Sequence, residues 1–209
     1  MRVLVIDTCL AACQVGLFDG GRMVASASEA MERGHQERLA PMARQVLLEA
    51  GVDYDRIAVT VGPGSFTGLR VGLAFAKGLR LATGQPLVGL GSLAGLAASV
   101  AAEGATAGVV DARRGQVYVQ AFEDGRALSE PDALSLADAA ARLHALGRAP
   151  FFLAGSGAET LAGLLPGARA ASLAAPDLAT LGRLAASADG HGDVRPLYLR
   201  APDARPMPA

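Results

Sequence analysis

Two aspartates hold matching places in the chain. Asp7 closes the apolar run Val3-Leu4-Val5-Ile6, and Asp111 closes Val109-Val110. A carboxylate at the end of a buried strand can face a phosphate or a magnesium ion across the following loop, which makes both candidate cofactor contacts. Each can equally cap its own turn through side-chain bonds to the backbone. A working phosphotransferase adds a donor-rich phosphate loop and a base, converging with the metal carboxylate in one cleft. Only the carboxylates are visible here. The loop Thr8-Cys9-Leu10-Ala11-Ala12 has no glycine to let a backbone approach a phosphate. Gly155-Ser156-Gly157 is a lone G-x-G, which reads more readily as a plain turn.

Metal and nucleophile chemistry find less support. His35 opens a helical stretch, but a metal site on that helix wants a second histidine four residues on, and Leu39 stands there. His144 lies late in a helix and His191 in the Gly190-His191-Gly192 loop, neither with a ligand partner in sequence. Cys9 and Cys13 sit four apart with no second Cys/His pair, which fits buried thiols rather than zinc or a disulfide framework. No metal ligand set and no nucleophile elbow is expected.

The most unusual segment follows Gly62-Pro63-Gly64-Ser65, where Ser65 is placed to cap a helix running to about Thr83. Gly64, Gly68, Gly72 and Ala76 recur every four residues and line one face. Interior glycines disfavour a helix by roughly 0.5–1 kcal/mol each, so their retention predicts close approach of another backbone. Leu69, Val71, Leu73, Phe75 and Leu79 cover most of the remaining circumference, with charge confined to Arg70, Lys77 and Arg80. The preceding helix, His35 to Ala50, carries the stripe Leu39, Met42, Ala43, Val46, Leu47 and Ala50, with Pro41 near its first turn. Two such helices can offer half of a bundle to another subunit, or both can pack on their own sheet. The subunit reading is favoured, with Leu39, Met42, Ala43, Val46, Gly68, Leu69, Gly72, Phe75, Ala76 and Leu79 as the partner surface.

Around these segments the pattern is α/β. Val3 to Ile6, Gln14 to Phe18 and Met23 to Ser28 read as a three-strand meander, with Asp19-Gly20-Gly21 as a hairpin turn. Ile57 to Val61 and Leu87 to Leu90 read as further strands, and Ser92 to Ala102 as a helix. The order then restarts: Val109-Val110-Asp111 echoes Val5-Ile6-Asp7, Gln116 to Phe122 echoes Gln14 to Phe18, and Asp124-Gly125-Arg126 echoes the first hairpin. A helix from Ser135 to Leu146, a strand Phe151 to Ala154 and helices near Ala158 and Leu178 complete an abbreviated second copy. The expectation is two duplicated lobes, residues 1–104 and 105–200, with 201–209, which hold three prolines, as a flexible tail.

The 209 residues are 51% hydrophobic with a formal net charge of -1. No basic run tracks a phosphate backbone, so strong nucleic-acid binding by this chain alone is not expected. The opening apolar run is too short for a signal peptide and no stretch reaches spanning length, which points to the cytoplasm and away from membranes.

Ile6-Asp7-Thr8, Cys13-Gln14-Val15, His35 to Pro41, Gly62-Pro63-Gly64-Ser65-Phe66-Thr67-Gly68-Leu69-Arg70-Val71-Gly72, Asp111-Ala112-Arg113-Arg114-Gly115-Gln116-Val117-Tyr118 and Pro196-Leu197-Tyr198-Leu199-Arg200 together resemble the TsaB family. The resemblance runs in order through nearly the whole chain. It implies an actin-like ATPase (ASKHA) fold and a non-catalytic role in making N6-threonylcarbamoyladenosine at adenosine 37 of tRNAs that read ANN codons. It further implies pairing with a TsaD-like catalytic subunit and a TsaE-like ATPase, self-association as a homodimer when isolated, and only indirect contact with tRNA. No cofactor is expected to bind this chain strongly alone, with ATP or ADP placed at the complex interface. TsaD-like proteins carry a metal-binding His-x-x-x-His that Leu39 interrupts here, which turns the resemblance away from catalysis and from a metallopeptidase. On the residues alone, a small-molecule kinase or ATPase using Asp7 and Asp111 stays open.

Overall fold

A computed structural model describes residues 1–100, 102–188 and 193–200; the expected tail and His191 lie outside them. The chain begins with β1 (Arg2–Asp7), β2 (Ala12–Asp19) and β3 (Arg22–Ala30), then α1 (His35–Ala50), β4 (Arg56–Gly62), α2 (Phe66–Thr83), β5 (Leu87–Gly91) and α3 (Ser92–Ala98). It continues with β6 (Ala105–Arg113), β7 (Gln116–Glu123), β8 (Arg126–Ala127), β9 (Asp132–Ser135), α4 (Leu136–Ala145), β10 (Phe152–Ala154), α5 (Ala158–Ala162), β11 (Arg169–Ala171) and α6 (Leu178–Ser187).

Two sheets result, ordered β3-β2-β1-β4-β5 and β11-β10-β6-β7-β8, with β9 paired to β7 off the main path. In each, an antiparallel meander adjoins parallel strands: β1 pairs β2 antiparallel and β4 parallel, and β6 pairs β7 antiparallel and β10 parallel. The hairpins match as well. Gly20 and Gly21 have φ 55° and 84°, and Asp124 and Gly125 have φ 50° and 77°, the doubly left-handed two-residue turn that suits the strand twist.

Residues Val3 to Ile6 are buried on both faces of the sheet, which explains their unbroken apolar run. Leu4 and Ile6 pack with Leu39, Met42 and Val46 of α1 and Leu73 and Ala76 of α2. Val3 and Val5 pack on the opposite face with Leu178, Leu181 and Ala185. Those last residues belong to α6, so the helix expected with the second lobe instead covers the first sheet. The segment after it also returns there, with the Leu197 N–H donating to the Val61 carbonyl at 2.8 Å. A sheet with apolar residues on both faces needs cover on both, and the short second copy releases its last helix to supply it.

Other elements depart from the periodicity. α3 stops at Ala98 rather than Ala102, because the Ser99 hydroxyl donates back to Gly95 O at 2.6 Å and accepts the Asp177 N–H at 2.8 Å. Pro41 is the seventh residue of α1, deeper than the first turn, with its ring on the exposed side. The two-to-four-residue strands β8, β9 and β11 were not anticipated, being too short to carry a period. Among the described residues, no helix is long and apolar enough to cross a membrane.

Candidate functional site

Ser65 caps α2 by accepting the Gly68 N–H at 3.3 Å, and the helix then runs against the loop after β1. The Ser65 N–H donates to Cys9 O at 2.7 Å, and Thr8 Oγ1 donates to Gly68 O at 2.7 Å. A Cβ on Gly64 would strike Cys9 O, one on Gly68 would strike Thr8 O, and one on Gly72 would strike Thr8 Oγ1. The close backbone approach predicted from the glycines therefore exists, but the backbone is the chain's own.

That observation corrects the expected partner surface. Leu39, Met42, Ala43, Val46, Leu69 and Ala76 are buried within the chain, as are Gly68 and Gly72. Phe75 and Leu79 are only partly covered. What faces outward on α2 is a different arc: Thr67, Ala74, Gly78, Leu81 and Ala82 are exposed and uncharged, with Leu81 87% exposed. Gly78 has nothing near its missing Cβ. A helix apolar nearly all round conceals which arc turns inward, and the tertiary contacts decide it.

The matched aspartates share one bond. Asp7 Oδ1 accepts the Cys9 N–H at 3.0 Å and Asp111 Oδ1 accepts the Arg113 N–H at 2.8 Å, each two residues on. Their surroundings differ. Asp7 is fully buried; its Oδ1 also accepts from Thr60 Oγ1 at 2.6 Å and its Oδ2 from Gln14 Nε2 at 3.3 Å. Gln14 Nε2 donates in turn to Pro176 O at 2.9 Å, tying this cluster to the approach to α6. Asp111 is exposed and faces the space between the sheets. The two aspartates do not converge on one site.

Burial raises the Asp7 pKa above its ordinary 3.8, opposed by the hydrogen bonds from Thr60, Cys9 and Gln14 and the charge of His35. Burial and then the Asp7 charge push the Cys9 thiol well above 9.0, while Cys13 is pushed up to about 11 by burial, Asp7 and Glu29. Both thiols are poor nucleophiles. His35 is buried with its Nε2 unpartnered. Among the described residues, no three His, Cys, Asp or Glu side chains gather to hold a metal.

The raised Asp7 pKa yields a prediction. The contribution of neutral Asp7 to stability is fully present below its ordinary 3.8 and is lost as pH rises through the folded value. Asp7→Asn is neutral at every pH, so wild type is expected to lose stability relative to it as pH rises above the ordinary 3.8. Urea midpoints across that range check this, and a wild-type-to-variant difference that is flat with pH refutes it.

A cleft of about 800 Å³ opens between the sheets. Leu10, Ser65 and Phe66 line it from the first lobe, and Asp111, Tyr118 and Ser156 from the second. Arg33, Arg113, Arg114 and Arg200 join Glu32 there, residues far apart in sequence that no charge run betrayed. At its edge the Arg70 guanidinium stacks 3.6 Å over the Phe66 ring, and its Nε donates to the Tyr198 hydroxyl at 3.0 Å.

The family described as "TsaD: tRNA N6-adenosine threonylcarbamoyltransferase" matches residues 26–160. The tRNA threonylcarbamoyladenosine biosynthesis protein TsaB of Bacillus subtilis (strain 168) is 31% identical over an alignment covering 98% of this chain and 96% of that relative. The chain belongs to the TsaB family. TsaB of Escherichia coli (strain K12) is 39% identical over 56% of this chain, which there spans about half the relative's length, 53%. The solved structure "YeaZ from Pseudomonas aeruginosa" superposes on this TsaB-family chain with a TM-score of 0.81 at 31% identity, covering 95% of this chain and 99% of that one. The ROK hexokinase of Thermus thermophilus, at 18% identity and a TM-score of 0.53, covers 90% of this chain and 97% of its own. That likeness concerns the fold alone, and it fits the actin-like ATPase (ASKHA) class for this TsaB-family chain.

Proposed function

We propose that this chain is a non-catalytic subunit that pairs with a TsaD-type transferase and a TsaE-type ATPase to place threonylcarbamoyl on adenosine 37 of ANN-decoding tRNAs in the cytoplasm. The carrying observation is the match along nearly its whole length to a protein named for tRNA threonylcarbamoyladenosine biosynthesis. The geometry supports the same reading. Asp7, which a kinase or ATPase of this fold would bring to the cleft, is buried under Thr60, Cys9 and Gln14 instead. The uncharged outer arc of α2 around Ala74 and Gly78 is the docking face we assign to the transferase, and to a second copy when the chain is isolated. ATP or ADP belongs at the assembled interface in this reading.

Reconstitution tests it. With threonylcarbamoyl-adenylate supplied as donor, AMP leaving on transfer, and with ATP present, threonylcarbamoyl incorporation into unmodified tRNA is expected to be at background with this chain alone and with the TsaD-type and TsaE-type proteins alone, and to appear when all three are combined. Incorporation at the full rate without this chain would overturn the proposal.

A further inference from the structure

The turn between β6 and β7 breaks the rule that the other hairpins follow. Elsewhere left-handed turn positions go to Gly20, Gly21, Asp124 and Gly125, residues that adopt positive φ readily. Here Arg113 and Arg114 take φ 65° and 55° before Gly115 at 72°. A left-handed arginine is disfavoured, because its Cβ crowds the following carbonyl oxygen, and persists where its surroundings over-determine it. They do so here. The Arg113 N–H is held by Asp111 at 2.8 Å, the Asp111 N–H by Ser156 Oγ at 3.0 Å, and the Ala112 carbonyl by an Arg200 N–H at 2.6 Å.

The conformation puts Arg113 and Arg114 on the wall of the cleft with Arg33 and Arg200, and among the described residues that line it the carboxylates are Glu32 and Asp111. Among the described residues, neither Arg33 nor Arg113 has a carboxylate partner for its guanidinium. Hydroxyls of Ser65, Ser156 and Ser172 share the same lining. Guanidinium forks with hydroxyls beside them are the donor set used for phosphate oxygens.

We propose that this cleft is a phosphate site that takes the phosphodiester backbone of the tRNA undergoing modification. The inference rests on the proposed function for its choice of RNA. A free nucleotide presents the same chemistry, and an acidic protein segment a different one. The expectation that this chain alone does not bind nucleic acid strongly drew on linear sequence, in which these arginines are scattered over 168 positions from Arg33 to Arg200.

The test uses the full chain in complex with its TsaD-type partner and unmodified tRNA, with binding measured against salt. The variant is Arg33→Ala with Arg113→Gly, since glycine relaxes the left-handed position and keeps the fold. Arg22→Ala with Arg126→Ala, on distant exposed hairpins, makes the same change in net charge. Losing two phosphate contacts is expected to weaken tRNA binding at 0.1 M salt about 25- to 60-fold and to flatten the log–log salt slope by about 1.4–1.8. The control pair is expected to stay within about 2-fold of wild type. Unchanged tRNA affinity in the cleft variant overturns the proposal, including where it loses ADP or pyrophosphate binding instead. An equal loss in the control pair overturns it too. Sizing chromatography of each complex separates the two failures: intact pairing with unchanged tRNA affinity sinks only the phosphate site, whereas a wild-type chain that never pairs sinks the proposed function.

Discussion

Gly68→Ala is expected to destabilise this chain by about 3 kcal/mol or more, while Gly78→Ala on the same helix stabilises it by about 0.5–1 kcal/mol. The substitution is identical and the helix propensity gain is the same at both sites. At Gly68 the added methyl meets the Thr8 carbonyl oxygen, a backbone atom fixed by β1 on one side and by the Thr8 Oγ1 bond to Gly68 O on the other. The loop cannot retreat without breaking that bond and the Ser65 N–H bond to Cys9 O. Overpacking of this kind exceeds the propensity gain several-fold. At Gly78 nothing lies near the new atom, so only the gain remains. Urea unfolding of the two variants settles the matter. Equal shifts of the same sign would show that the loop after β1 does not seat the helix.

Ala74→Glu is expected to leave the isolated chain folded, with stability changed by less than about 0.5 kcal/mol, yet to weaken pairing with the TsaD-type subunit about 100-fold or more. Ala74 is exposed in the middle of the uncharged arc, and a carboxylate there is solvated in the free chain. Buried unpaired at an interface, the same charge is disfavoured by about 3 kcal/mol or more, which is roughly two orders of magnitude in affinity. Modification of tRNA by the three-protein mixture should fall in parallel at protein concentrations near the dissociation constant. Gly72→Glu cannot serve the same purpose, because its side chain would run into Thr8 Oγ1 and the fold would give way first. A heterodimer that survives Ala74→Glu places the interface elsewhere.

The contacts behind these two expectations separate what linear pattern can carry from what it cannot. Glycines repeating every four residues say that something approaches α2 closely, since the helix would otherwise do better with alanine. They do not say whose backbone it is. The same limit applies to the matched aspartates. Their equivalence is real, and both accept the N–H two residues on, but burial depends on Thr60 and Gln14 for Asp7 and on an open cleft for Asp111. Asp177 caps α6 by accepting the Thr180 N–H at 2.8 Å, and a helix near Leu178 was legible in the sequence. Which sheet it covers was not.

Local backbone preference and short-range periodicity were enough to read the α/β order, the repeated meander, the Ser65 cap, the hairpin turns and the block from Gly62 to Gly72 that carries the family resemblance. Tertiary structure alone decided that the glycine face seats the chain's own Thr8-Cys9 loop, that the open arc of α2 lies around Ala74 and Gly78, and that Arg33, Arg113, Arg114 and Arg200 share one cleft. The physical reason is common to all three. Inward and outward are set by which elements pack together, and charges far apart in the chain add their fields only once the fold has brought them to the same wall.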